Sequence, residues 1–158
     1  MVKFKDLTLI ASAASCLVQA GAQLFAILVI VRTLIADPPR SFAMLQGAHG
    51  YDSSIFWNTV PMITLVSLLL ALVANWKTTR RGLLLLALAL FVVGSVIAGV
   101  VVEPGFGKLL AVGYSDAVDP ALKSQAATLY LYDWVLWLVS LGAGISLLCA
   151  LARPAANR

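Results

Sequence analysis

Four long apolar runs leave this chain few folds to adopt. They cover roughly residues 7–35, 55–76, 82–102 and 128–152. Each reaches the about 20 residues that an α-helix needs to cross a hydrocarbon core. In lipid, every backbone N–H and C=O must be bonded within its own segment, so such runs become helices. With 61% apolar and 11% charged residues among 158, no stretch is left over for a soluble module. The expected fold is all-α: one integral membrane four-helix bundle over residues 1–158, its two outer loops carrying short interfacial helices.

Charge then sets the orientation. Lys3, Lys5, Lys77, Arg80, Arg81, Arg153 and Arg158 flank one side of the spans, whereas Arg32, Arg40, Lys108 and Lys123 flank the other. The positive-inside rule puts the richer side, with both termini, in the cytoplasm of a bacterial-type inner membrane. The loops over 36–54 and 103–119 then face out. The basic residues sit at helix ends, not in the cluster that nucleic acid requires, so the expected partners are lipids, anionic headgroups included, and not nucleic acid. Span one continues far past Cys16, which argues for a retained anchor rather than a cleaved signal peptide. Cys16 and Cys149 both lie in apolar sequence, and buried, inert thiols are expected.

Polar residues inside the spans carry the next layer. Ser12, Cys16, Gln19 and Gln23 follow a 4-3-4 spacing, which places them on one face of the first helix. That face avoids lipid; its glutamines are expected to bond across helices or, alternatively, to line a substrate path. Trp57 and Trp76 lie about 28 Å apart at helical rise, which suits two aromatic belts. Pro61 is expected to kink span two and free the Trp57 carbonyl. Glu103-Pro104-Gly105 reads as the stop of span three. Asp119-Pro120 reads as an N-cap followed by proline at the first helical position, extending the fourth helix to 120–152.

Asp133 is the one ionisable residue clearly embedded in an apolar run. A carboxylate there is costly and usually meets a partner or a wet cavity. Counting depth from the helix ends brings Arg32, Trp57, Asn58, Glu103, Tyr130, Asp133, Trp134 and Trp137 to the outer third of the bundle, below His49 in the loop. Aromatics with a few convergent polar groups suit a small apolar ligand. Asp133, His49, Arg32 and Glu103 are the acid–base and orienting candidates, and Trp57, Asn58, Tyr130, Trp134 and Trp137 the ligand-binding ones. Each has a structural alternative, above all an Asp133–Arg32 pair that only fastens two helices. One histidine and no outer cysteine make none of the usual zinc, haem or di-iron sites. No phosphate loop, dinucleotide fingerprint or nucleophile elbow is present, so no metal and no cofactor are expected.

Three stretches resemble the anthrone-oxygenase-like family of small four-helix membrane proteins. They are Phe56-Trp57-Asn58-Thr59-Val60-Pro61 opening span two, Val102-Glu103-Pro104-Gly105 closing span three, and Tyr132-Asp133-Trp134-Val135-Leu136-Trp137 opening span four. That family often carries a histidine or asparagine four residues after the span-four tryptophan, and an arginine nearby. Here Val135–Gly142 holds none, and Asp133 is the only charge. The resemblance implies cofactor-free oxidation of an activated aromatic substrate at the outer end of the bundle. Two functions therefore stand side by side: a protein acting on a small lipophilic molecule, and a non-catalytic accessory subunit of a homo-oligomer or larger membrane complex.

Overall fold

The computed structural model describes residues 4–46 and 50–156. Four helices, each long and apolar enough to cross a membrane, make up most of it: α1 (Phe4–Leu34), α2 (Ser54–Ala74), α3 (Arg81–Leu110) and α4 (Pro120–Ala152). Among the described residues there is no β-strand. Many large apolar side chains stay exposed on the outer faces, including Ile55, Val73, Val100 and Leu131. That is the surface of a multi-pass membrane protein, where lipid and not water covers the bundle.

Crossing one membrane in turn, sequential helices run antiparallel. α1 packs against α2 and α4, and α4 against α3. α2 and α3 touch far less than those pairs, although only six residues join them.

The end that carries both termini is the tighter one. Leu9, Ala13, Leu68, Leu84, Ala87, Leu147 and Ala150 form its core. Ser15 and Thr64 share a 2.6 Å hydrogen bond across α1 and α2. Below them Arg80, only 5% exposed, fastens three elements at once. Its Nη1 bonds the Asp6 carboxylate of α1 at 2.5 Å, and its Nε donates to the Arg153 carbonyl at 2.8 Å. Its Nη2 donates to the Leu151 carbonyl at 3.4 Å. Asn75 adds a bond from Nδ2 to the Lys5 carbonyl at 3.2 Å. Positive-inside counting treats Arg80 as a topology charge; burial makes it a structural latch.

The loop end is capped by a second apolar cluster. A 3-10 helix, Arg40–Leu45, drops Phe42, fully buried, among Leu34, Leu109, Leu122, Ala126 and Leu129. The Asp119 side chain accepts from the N–H groups of Ala121 and Leu122 at 2.7 and 3.4 Å, the expected N-cap of α4. Its own N–H donates to the Pro38 carbonyl at 2.9 Å, tying the first loop to the start of α4. α2 opens on a related device: Asp52 accepts from the Ser54 N–H at 2.8 Å, and this bond holds the exposed Asp52 carboxyl below its ordinary range.

Several expectations change here. Span three does not stop at Glu103-Pro104; the helix runs on to Leu110. A proline ring clashes with the carbonyl four residues back and removes a donor. The turn just before it, Ala98–Val102, is π-helical, and this wider winding accommodates the ring without ending the helix. Pro61 stands inside α2, where the sequence places it. Cys149 is exposed, not buried, because Leu147 and Ala150 take the inward face of that turn.

Continuing α3 past Pro104 brings Gly105 against α4. A Cβ on Gly105 would stand 2.5 Å from Leu129 Cδ2 and 3.3 Å from its Cγ. Leu129 is itself packed in the loop-end cluster and has little room to retreat. Gly105→Val should therefore destabilise by about 1–3 kcal/mol, the usual range for overpacking. A thermal melt reads this, and an unchanged midpoint would show that Leu129 yields freely.

Candidate functional site

The register of the bundle brings three polar side chains together. Arg80 pins Asp6 level with Leu151. Gln23 stands seventeen residues beyond Asp6 on α1, and Asp133 eighteen residues before Leu151 on α4. At about 1.5 Å per residue they arrive at one height to within about one residue, with Gln19 one turn nearer the termini. All three line a single cavity of about 540 Å3 between the four helices. Such a volume lies within the about 300–1,000 Å3 of small-molecule sites.

The cavity is long and narrow. On α1 its lining runs from Cys16 to Val31, about 22 Å at helical rise. Leu90 and Phe91 of α3 and Ala143 of α4 line it too. Both π-helical stretches border it, Ala26 and Ile27 from α1 and Ala98, Gly99 and Val102 from α3. The walls are apolar and aromatic, with Trp57, Phe91 and Phe106.

Three of its polar atoms lack partners. Gln19 Oε1, Gln23 Oε1 and Asp133 Oδ2 are buried and make no hydrogen bond among the described residues. Asp133 as a whole is 8% exposed. Buried acceptors without donors are rare, because each forfeits its hydration with nothing in return. Three on one cavity is a concentration that packing does not explain.

Exposure shows where the cavity opens. Every exposed residue in its lining belongs to α2 or α3: Ser54, Asn58, Ser95, Gly99 and Glu103. The lining residues of α1 and α4 are buried or half-buried. The mouth is thus a lateral slot between the two neighbouring helices with the least contact, and the acceptors stand on the opposite wall.

The sequence-predicted residues divide accordingly. Asp133, Glu103, Trp57 and Asn58 line the cavity, Asp133 on the inner wall and Glu103 and Asn58 at the slot. Arg32 does not; it is exposed and forms no pair with Asp133. The described ion pairs are Arg80–Asp6, and Arg40 and Lys123 each with Asp37, so the expected Asp133–Arg32 clasp is absent among them. Tyr130, Trp134 and Trp137 also stay out of the cavity lining. They stack edge to face along α4, with centroids 6.2 and 5.6 Å apart. Successive residues turn by about 100°, so this ladder occupies a sector beside the one that carries Leu129, Asp133, Leu136 and Ser140. His49 lies outside the described residues.

What sequence reasoning undervalued are Gln19 and Gln23. Their 4-3-4 spacing correctly puts them on an inward face, but their side-chain oxygens meet a cavity and not a neighbouring helix. Trp57 also lines a second, more open hollow of about 560 Å3 beside α1 and α2, so the indole stands between the two spaces.

Comparison with family models, with curated proteins and with solved structures finds no match for this chain.

Proposed function

We propose that the bundle binds a small lipophilic molecule bearing a hydrogen-bond donor, which enters sideways from the membrane through the slot between α2 and α3. One observation carries this: three buried acceptor oxygens, on Gln19, Gln23 and Asp133, belong to residues that line one cavity, and all three are unpaired among the described residues. A ligand that supplies donors removes their desolvation penalty, and aromatic walls cover its apolar body. The lateral slot suits a molecule that travels dissolved in lipid.

Donor recognition is testable with matched probes. In nanodiscs of phosphatidylcholine, with empty discs subtracted, 2-naphthylmethanol should bind about tenfold more tightly than its methyl ether, the worth of one or two buried hydrogen bonds. Quenching of tryptophan fluorescence, with Trp57 in the cavity wall, reads the binding. Gln23→Leu should shrink the difference. Equal affinities for alcohol and ether would overturn the reading.

Oxidation without a cofactor, which the family resemblance implies, is the catalytic extension of the same reading. Asp133 would accept the proton of an activated aromatic substrate. The anion so formed would then face acceptor oxygens and the Glu103 carboxylate, since no Lys or Arg lines the cavity among the described residues. Oxyanion chemistry wants donors or cations aimed at the developing charge. Binding is accordingly the part of the proposal that the geometry supports better.

We place both termini in the cytoplasm of a bacterial inner membrane, and the loop end with its 3-10 helix at the outer surface. Seven of eleven basic residues lie on the terminal side. A fluorescent-protein fusion at Arg158 should glow, and a phosphatase fusion after Gly113 should be active. The opposite pattern would put the slot in the inner leaflet.

A further inference from the structure

The charge of that ligand can be read from the same cavity; this step rests on the cavity being the binding site. Its lining carries two carboxyl groups, Asp133 and Glu103, and no Lys, Arg or His among the described residues. Its three unpartnered buried polar atoms are all acceptors. Asp133, more than nine-tenths buried, forms no ion pair among the described residues.

Counting donors decides between candidates. An anion would meet two carboxyl groups, with only the amide N–H groups of Gln19 and Gln23 to receive it. A neutral alcohol brings one O–H and leaves two of the three acceptors bare. A primary ammonium brings three N–H donors and a positive charge, one for each of Gln19, Gln23 and Asp133. Away from bulk water a carboxylate is costly alone and strongly favoured beside a cation. Trp57, Phe91 and Phe106 present aromatic surface, whose faces attract cations and whose area covers an apolar body. Glu103, exposed at the slot, places a second negative charge on the entry path.

We propose that the cavity is a site for a primary ammonium carried on a compact lipophilic body, held by Asp133, Gln19 and Gln23. The ammonium has two natural sources, a free lipid-soluble amine or the headgroup of an aminophospholipid that leans through the slot. Both present the same –NH3+ to the same acceptors.

Three probes on one ring system separate the outcomes. 2-Naphthylmethylamine, 2-naphthylmethanol and 2-naphthoate are titrated near neutral pH into the full-length protein in phosphatidylcholine nanodiscs, with empty discs subtracted. The amine should bind at least about tenfold more tightly than the alcohol, since charge-assisted bonds are roughly twice as strong as neutral ones. Naphthoate should not bind measurably. Asp133→Asn should bring the amine down to the affinity of the alcohol. Should that variant fail to fold, Glu103→Gln, a change at an exposed residue, should weaken the amine severalfold more than it weakens the alcohol. Phosphatidylethanolamine in the discs then sets the source: competition with the amine assigns the site to a headgroup, and unchanged affinity assigns it to a free amine. Equal binding of amine and alcohol, or tighter binding of naphthoate, overturns the ammonium site. In the first case the donor-binding reading survives; binding of none of the three removes both.

Discussion

Replacing Asp133 with leucine should make the ligand-free protein more stable while abolishing ligand binding. Asp133 is 8% exposed, its Oδ2 has no partner among the described residues, and no described Lys or Arg pairs with it. An aspartate at the centre of a membrane helix costs about 2.5–3.5 kcal/mol, and the position of Asp133 in the outer third of the bundle, facing a cavity, lowers that somewhat. Leucine removes the penalty and fills part of the cavity, so a gain of about 2 kcal/mol is expected. For a chain of this size that is a rise of roughly 4–8 °C in Tm. Asp133→Asn should gain less, because an amide keeps unpaired polar atoms. Arg32→Gln should change nothing beyond about 0.5 kcal/mol, as for other surface changes. A fall in Tm for Asp133→Leu would show that the carboxyl group has a structural partner, and the case for a ligand site there would go with it. A residue that destabilises the fold from within a buried cavity is the usual trace of function.

The membrane class and the four spans were plainly legible, because hydropathy over about 20 residues is a strong signal. So were the Asp119 cap and the long reach of α4, since an aspartate before proline has a local meaning that no neighbour overrides. The α3 terminus was misjudged for a physical reason. Pro104 reads as a stop when only the normal helical turn is considered, and the π-helical turn at Ala98–Val102 that absorbs it leaves no mark in composition. The level of the site was legible in the depth count, which put Asp133, Trp57, Asn58 and Glu103 together. Its radial arrangement was not. Depth along an axis is a property of sequence, whereas the sector a side chain faces depends on how four helices rotate against one another. Hence Arg32 and the Tyr130–Trp134–Trp137 ladder share the height of the cavity without sharing the cavity. The glutamines show the converse. Inward-facing amides look like packing contacts until the space beside them is seen to be empty of donors.

Asp6→Asn should be among the most damaging single changes at the terminal end, with a loss of about 2–3 kcal/mol. Arg80 is buried at a point where α1, the α2–α3 turn and the end of α4 meet. Its guanidinium also satisfies the carbonyls of Leu151 and Arg153, which the last turn of a helix leaves unbonded. Removing one partner of a buried pair strands the other charge, typically at about 3–5 kcal/mol. The Asp6 side chain is 29% exposed, so water screens part of that and the lower estimate applies. Arg80→Ala should cost more, about 3–5 kcal/mol, since it also frees two carbonyls and leaves a void. The decisive measurement is the double variant Asp6→Asn with Arg80→Met, in which neither charge is stranded and the stem volume is kept. It should be more stable than the summed losses of Asp6→Asn and Arg80→Met, each measured alone, predict by at least about 1 kcal/mol. Strict additivity would mean that Asp6 and Arg80 act independently, and that the ends of α1 and α4 are held level by packing instead. The matching heights of Gln23 and Asp133 would then need another cause, because the register that aligns them is counted from this pin.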